Sequence, residues 1–234
     1  MNLIRALLQQ SFRKAIGPFT EFVGRDIHFH MQLLAVAETA KYVANNMLTT
    51  PAFRNQWQLL DHAISRIQVD GLVLEFGVFK GQTINYIAKR MPSKTIHGFD
   101  CFDGLPESWN SEFQKGAFRL DSPPKVEKNV ELHVGLFSDS APQFAAETPG
   151  CCALIHVDCD LYSSTVDALS ALAPKIVPKT IIVFDEYFNY AGWREGEFKA
   201  FQEIVAREGW QYEYIGYVNG PAKSRNMQAA VQIL

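Results

Sequence analysis

Residues 72–83 read LVLEFGVFKGQT: an apolar run of strand length, a turn holding Gly77, and Gly81 at the opening of the next segment. A run this short, bounded by glycines, is the pattern of a buried strand passing into a helix. The same grammar recurs in TIHGF (95–99), VELHV (130–134), CALIHV (152–157) and TIIVF (180–184), with amphipathic segments between most of them. Such alternation predicts a parallel sheet with crossover helices. The last two runs, WQYEYIGYV (210–218) and MQAAVQIL (227–234), are separated by a loop containing Gly220 and Pro221 that is too short for a helix, so they pair antiparallel. Upstream, residues 28–67 read as helices. MQLLAVAETAKYVANNML (31–48) carries Leu33, Leu34, Ala37, Ala40 and Val43 at helical spacing, and a break follows near Thr49, Thr50 and Pro51. The expected architecture is α/β: a Rossmann-like, doubly wound domain over residues 70–234, with a helical extension over residues 1–69. Ligands of such sheets bind beyond the carboxyl ends of the first strands.

The 234 residues are 47% hydrophobic and 20% charged, within the range of ordinary globular chains. Lys and Arg number 22 against 25 for Asp and Glu, a net charge of -3, which disfavours nucleic acid as a partner. Cys101, Cys151, Cys152 and Cys159 show no CxxC spacing, which fits a reducing, cytoplasmic setting. No apolar run approaches the roughly 20 residues of a membrane span. At the N-terminus, Ile4, Leu8 and Phe12 recur at helical spacing, which suggests an amphipathic helix that docks on its own core or on a second subunit of a homo-oligomer.

The loops after the strands carry the chemistry. In the first, Gly77 relieves a tight turn, Val78 and Phe79 follow it, and Gly81 and Thr83 open the next helix. The spacing lacks the third glycine of the dinucleotide fingerprint. Glu75 at the strand end suits a ligand ammonium group, or else it caps backbone amides. Asp100 ends the second strand, where α/β folds place an acid against ribose hydroxyls. Phe102 flanks an adenine or joins the core, and Gly135 and Phe137 after the third strand are candidates for the same adenine pocket. The fourth strand ends in IHVDCDLYSST and the fifth in IIVFDEYFNY, which brings Asp158, Asp160, Asp185 and Glu186 to one edge with no Lys or Arg inside either motif. Hard oxygen donors of this kind suit Mg²⁺ or Ca²⁺, although helix capping by the same acids is the plain alternative. His156 reads as a core histidine. Tyr187, Tyr190 and Trp193 either line an acceptor pocket or pack under the next helix. Zinc spacings, a G-x-S-x-G elbow and a phosphate-binding G-x-x-x-x-G-K-[ST] are all missing from the sequence.

LEFGVFKGQT, GFDCFDGLP, HVDCDLYSST, VFDEY and the terminal strand pair, in that order, resemble the class I S-adenosylmethionine-dependent methyltransferases, in the branch of macrocin O-methyltransferase and related sugar O-methyltransferases. The resemblance covers about residues 70–234 and implies a seven-stranded sheet whose last strand is antiparallel. It implies that Glu75, Gly77 and Gly81 hold the methionine part of S-adenosylmethionine and that Asp100 binds its ribose. It further implies Mg²⁺ on Asp158, Asp185 and Glu186, with Asp160 as general base toward a small-molecule hydroxyl. Glu186 stands where metal-dependent members usually carry a second Asp. A cofactor-binding module without catalysis and an NAD(P)-dependent oxidoreductase are the competing readings.

Overall fold

The computed structural model describes residues 23–221 and 226–234; the helix expected around Ile4, Leu8 and Phe12 lies outside them. The described elements begin with α1 (Ile27–Asn46), β1 (Ala52–Phe53) and α2 (Gln56–Ser65). It continues through β2 (Leu72–Phe76), α3 (Gln82–Arg90), β3 (Ile96–Asp100), β4 (Val130–Val134) and α4 (Phe137–Glu147). Next come β5 (Cys152–Val157), α5 (Tyr162–Leu172), β6 (Ile181–Phe184), α6 (Glu197–Glu208), β7 (Tyr212–Val218) and β8 (Ala229–Ile233). Side chains start the first two helices: Asp26 accepts the Phe29 N–H at 3.0 Å and Asn55 the Gln58 N–H at 3.0 Å.

All strands join one sheet in the order β1-β7-β8-β6-β5-β2-β3-β4. β8 runs antiparallel to both neighbours, β6 and β7, and the remaining pairs are parallel. Among the described residues the sheet has eight strands, one more than the seven expected. The added strand, β1, is two residues long and follows Pro51, too short to show a period; it pairs with Tyr217 and Val218 of β7. The helical extension therefore contributes an edge strand to the sheet.

Alternation along the strands builds two cores. Leu74, Phe76, Ile155, Val157, Ile182 and Phe184 face α4, α5 and α6. Val73, Ile96, Leu154, Ile181 and Val183 face α2 and α3. At Gly98 of β3 an added Cβ would lie 2.4 Å from Ile84 Cδ1, so the missing side chain lets α3 sit close on the sheet. The chain winds from β2 outward through β3 to β4, then returns to place β5 on the other side of β2. The crevice at this reversal is where a doubly wound sheet receives its ligand. Among the described residues, no helix is long and apolar enough to cross a membrane.

Candidate active site

The carboxyl ends of β2, β3, β5 and β6 open into one cavity of about 300 Å³, a size ordinary for small-molecule sites. Gly77 forms its floor at the end of β2. Its φ is +93°, and an added Cβ would sit 1.8 Å from the Asp158 carbonyl oxygen. Only glycine allows the β2 loop to pass so close to the end of β5.

Asp100 lines the same cavity and organises two loops. Its Oδ2 accepts the N–H groups of Val78 at 3.0 Å and Phe79 at 2.7 Å, and its Oδ1 accepts that of Phe102 at 2.7 Å. Phe79 and Phe102 adopt φ of +46° and +56°, sparsely populated conformations for such side chains. Strain of this kind persists where surrounding contacts enforce it. Phe79, Leu105, Phe118 and Phe137 give the cavity an apolar wall. The Phe79 and Phe118 rings meet edge to face at 5.4 Å.

Carboxylates occupy the other side. Asp158, Asp160 and Glu186 each bring an oxygen within 4.8 Å of the others. Asp185 lines the cavity too, but it accepts a hydrogen bond from Gln228 Nε2 at 3.2 Å and stands apart from that trio. Burial, followed by the charges of Asp185 and Asp160, pushes the Asp158 carboxyl well above the usual range. Burial and the same neighbours with Asp158 do so for Glu186. Glu186 Oε2 is buried without a hydrogen-bond partner. A buried, unpartnered oxygen facing two more carboxylates fits a bound divalent cation, which would offset both the desolvation and the repulsion. Asp160 sits at the centre of a three-residue turn, with φ of +59° and the Leu161 N–H donating to the Cys159 carbonyl at 2.6 Å.

Glu197, the first residue of α6, supports this cluster and carries no sequence signal. Fully buried, it accepts the Cys159 N–H on Oε1 at 3.1 Å and the Glu186 N–H on Oε2 at 3.0 Å. It thus ties together the two loops that present the acids. In the sequence, an acid in the first turn of a helix reads only as a favourable charge at the helix N-terminus.

The expected site residues divide in two. Gly77, Phe79, Asp100, Gly135, Phe137, Asp158, Asp160, Asp185 and Glu186 line the cavity; Glu75, Val78, Gly81, Thr83 and Phe102 do not. Glu75 is fully buried on the α2–α3 side, with Oε2 3.2 Å from Nδ1 of the equally enclosed His156. Val78 and Phe102 are core residues on that face. The aromatic trio also needs correction as acceptor-lining residues. Tyr187 and Trp193 are 0% and 1% exposed in the core, with the Tyr187 hydroxyl 2.7 Å from that of Tyr214, and Tyr190 does not line the cavity. Packing beneath the next helix is what the sequence could not separate from ligand contact. Leu105 and Phe118 line the cavity unanticipated, because the irregular segment after β3 has no periodicity to read, and Cys159 joins them from between the two acids after β5.

Residues 74–187, just under half the chain, match a family model described as a methyltransferase domain. No curated protein sequence matches the chain. Among solved structures, the calicheamicin methyltransferase CalS11 is 20% identical, with a TM-score of 0.58 over 94% of this chain and 91% of that one. An apo structure of CalS11, described as a TDP-rhamnose 3'-O-methyltransferase, gives 21% identity and a TM-score of 0.53 over 75% and 77%. The O-methyltransferase NovP is 19% identical, with a TM-score of 0.54 over 75% and 76% of the two chains. At these identities the structural likeness concerns the fold. The domain match spans the strands and loops from β2 to β6 that build the cavity, which lies at the switch point of the sheet.

Proposed function

We propose that the chain is a class I S-adenosylmethionine-dependent methyltransferase and that it methylates a hydroxyl of a small molecule, a sugar or another natural-product scaffold, with assistance from Mg²⁺. The observation that carries this reading is the trio of clustered carboxylates, Asp158, Asp160 and the buried Glu186, on one side of a cavity whose other side is apolar and aromatic. S-adenosylmethionine supplies a methyl group already activated on a sulfonium, so the protein's task is chiefly alignment. In this reading Asp100 binds the ribose hydroxyls, and Phe79, Leu105, Phe118 and Phe137, which line the same cavity, enclose the adenine. Gly77 and Gly81 open the turn for the methionine portion. Glu75, buried behind that turn with His156, would act on it only through the backbone.

A hydroxyl is a poor nucleophile until its proton leaves, and an oxygen-ligated divalent cation lowers its pKa. Asp158 and Glu186, with Asp185 beside them, would hold that ion; the longer Glu186 side chain still brings an oxygen to the group. Asp160 is the general base that takes the hydroxyl proton. Its oxygen clusters with those of Asp158 and Glu186, so the base and the cation would act on one acceptor oxygen. The similar structures, the O-methyltransferase NovP and CalS11, a TDP-rhamnose 3'-O-methyltransferase of calicheamicin biosynthesis, support an oxygen acceptor. The test is Asp160→Asn: methyl transfer to a panel of glycosides and phenols should fall by about 10²–10⁴-fold, while affinity for S-adenosylhomocysteine changes little. Equal loss of both would overturn the assignment.

A further inference from the structure

Outside the cavity, the edge of the sheet carries a second group of converging side chains. His97 of β3 stands opposite Glu131 of β4 in the parallel register, and His133 follows two residues later on the same face of β4. His97 Nδ1 lies 3.2 Å from His133 Nε2 and 3.6 Å from Glu131 Oε2, and the three ligand atoms fall within 4.8 Å of one another. Two donors at opposite corners of a tetrahedron with Zn–N bonds of 2.0–2.1 Å are separated by about 3.3 Å. Both distances to His97 are therefore close to what a single tetrahedral ion requires.

The ring orientations are held by packing. His133 stacks on Phe99 at 4.6 Å and meets the edge of Phe144 at 4.9 Å, and Phe144 also contacts the His97 ring at 4.8 Å. Burial holds both imidazoles below their ordinary pKa, which favours the neutral, ligating form. Access comes from the open side, where the Glu131 side chain is 65% exposed at the edge strand. None of the three residues lines the methyl-transfer cavity.

We infer that His97, Glu131 and His133 form a binding site for a borderline divalent transition metal such as Zn²⁺, with water in the fourth position. Two imidazoles and one carboxylate select such an ion over Mg²⁺, which prefers oxygen donors. In this arrangement His97 keeps its proton on Nε2 and His133 on Nδ1, each presenting a lone pair to the ion. The bound ion would tie the edge strand β4 to β3 and so stabilise the chain by linkage.

Chelator-treated full-length protein is titrated with Zn²⁺ calorimetrically, and Co²⁺ is used as a spectroscopic probe of tetrahedral geometry. One high-affinity Zn²⁺ per chain and visible Co²⁺ bands are expected. Both should weaken by at least about tenfold in Glu131→Gln and in His133→Phe. Asp158→Asn, which alters the other acidic group, should leave this Zn²⁺ binding unchanged. Glu131 is exposed, so Glu131→Gln decides the matter even where His133→Phe fails to fold. Absence of Zn²⁺ binding by the wild type, or affinity unaltered in Glu131→Gln, would reduce the trio to a histidine–histidine hydrogen bond and overturn the inference.

Discussion

Glu197 accepts the main-chain N–H of Glu186 at 3.0 Å from the first residue of α6, and its other oxygen holds Cys159 at 3.1 Å. The loops after β5 and β6 are thus tied to a single buried carboxylate, and the relative position of Asp158, Asp160 and Glu186 depends on it. Glu197→Gln keeps the volume but leaves one N–H facing an amide NH₂. Methyl transfer should fall by about 10–100-fold, as for other residues that orient ligating groups, with affinity for S-adenosylhomocysteine within about threefold of wild type. Steady-state kinetics and calorimetry on the same preparation check this.

Glu197 also shows where sequence reading stops. The strand runs from LVLEF to TIIVF are legible because buried parallel strands are short and apolar, and their loops follow from topology. Asp158, Asp160 and Glu186 could be placed at one edge for the same reason. A residue that reaches the site from the next helix has no such signature. Tyr187 and Trp193 show a second limit: adjacency to DEY leaves pocket lining and packing under the next helix equally open, and the backbone turn after Glu186 places both in the core. β1 escaped because two residues beside a proline show no period.

Asp100 joins three backbone N–H groups to the cavity wall, so it should control cofactor affinity rather than chemistry. Asp100→Asn loses a charged acceptor of hydrogen bonds worth about 1.5–3 kcal/mol to such a group. S-adenosylhomocysteine should bind roughly 10–100-fold more weakly. A KM effect on the acceptor alone would contradict the placement.

Gly77→Ala combines a positive φ with an overlap against the Asp158 carbonyl. The substitution should cost about 2–3 kcal/mol or more. Thermal unfolding is expected to shift down by at least about 4 °C, and cofactor binding should suffer with it. A variant as stable as wild type would show that the β2 loop is not held against β5.

The hydroxyls of Tyr42, Tyr187 and Tyr214 are hydrogen-bonded together and join α1 to β7 and to the loop after β6. Burial raises Tyr42 to about 12 and moves Tyr187 and Tyr214 up as well. A tyrosine raised in the folded state contributes stability that is complete below the unfolded value near pH 10 and lost as pH rises through the folded value. Unfolding free energy should therefore decline from about pH 10 upward, and the decline should be shallower in Tyr42→Phe. Denaturant melts across alkaline pH check the slope.

Calorimetric titration of S-adenosylhomocysteine into the purified chain, with EDTA and again with excess Mg²⁺, bears on the cavity itself. Micromolar binding to wild type, weakened in Asp100→Asn, together with a Mg²⁺ signal lost in Asp158→Ala, is the predicted result. No binding of S-adenosylhomocysteine under either condition would contradict the assignment of the cavity as the methyl-donor site.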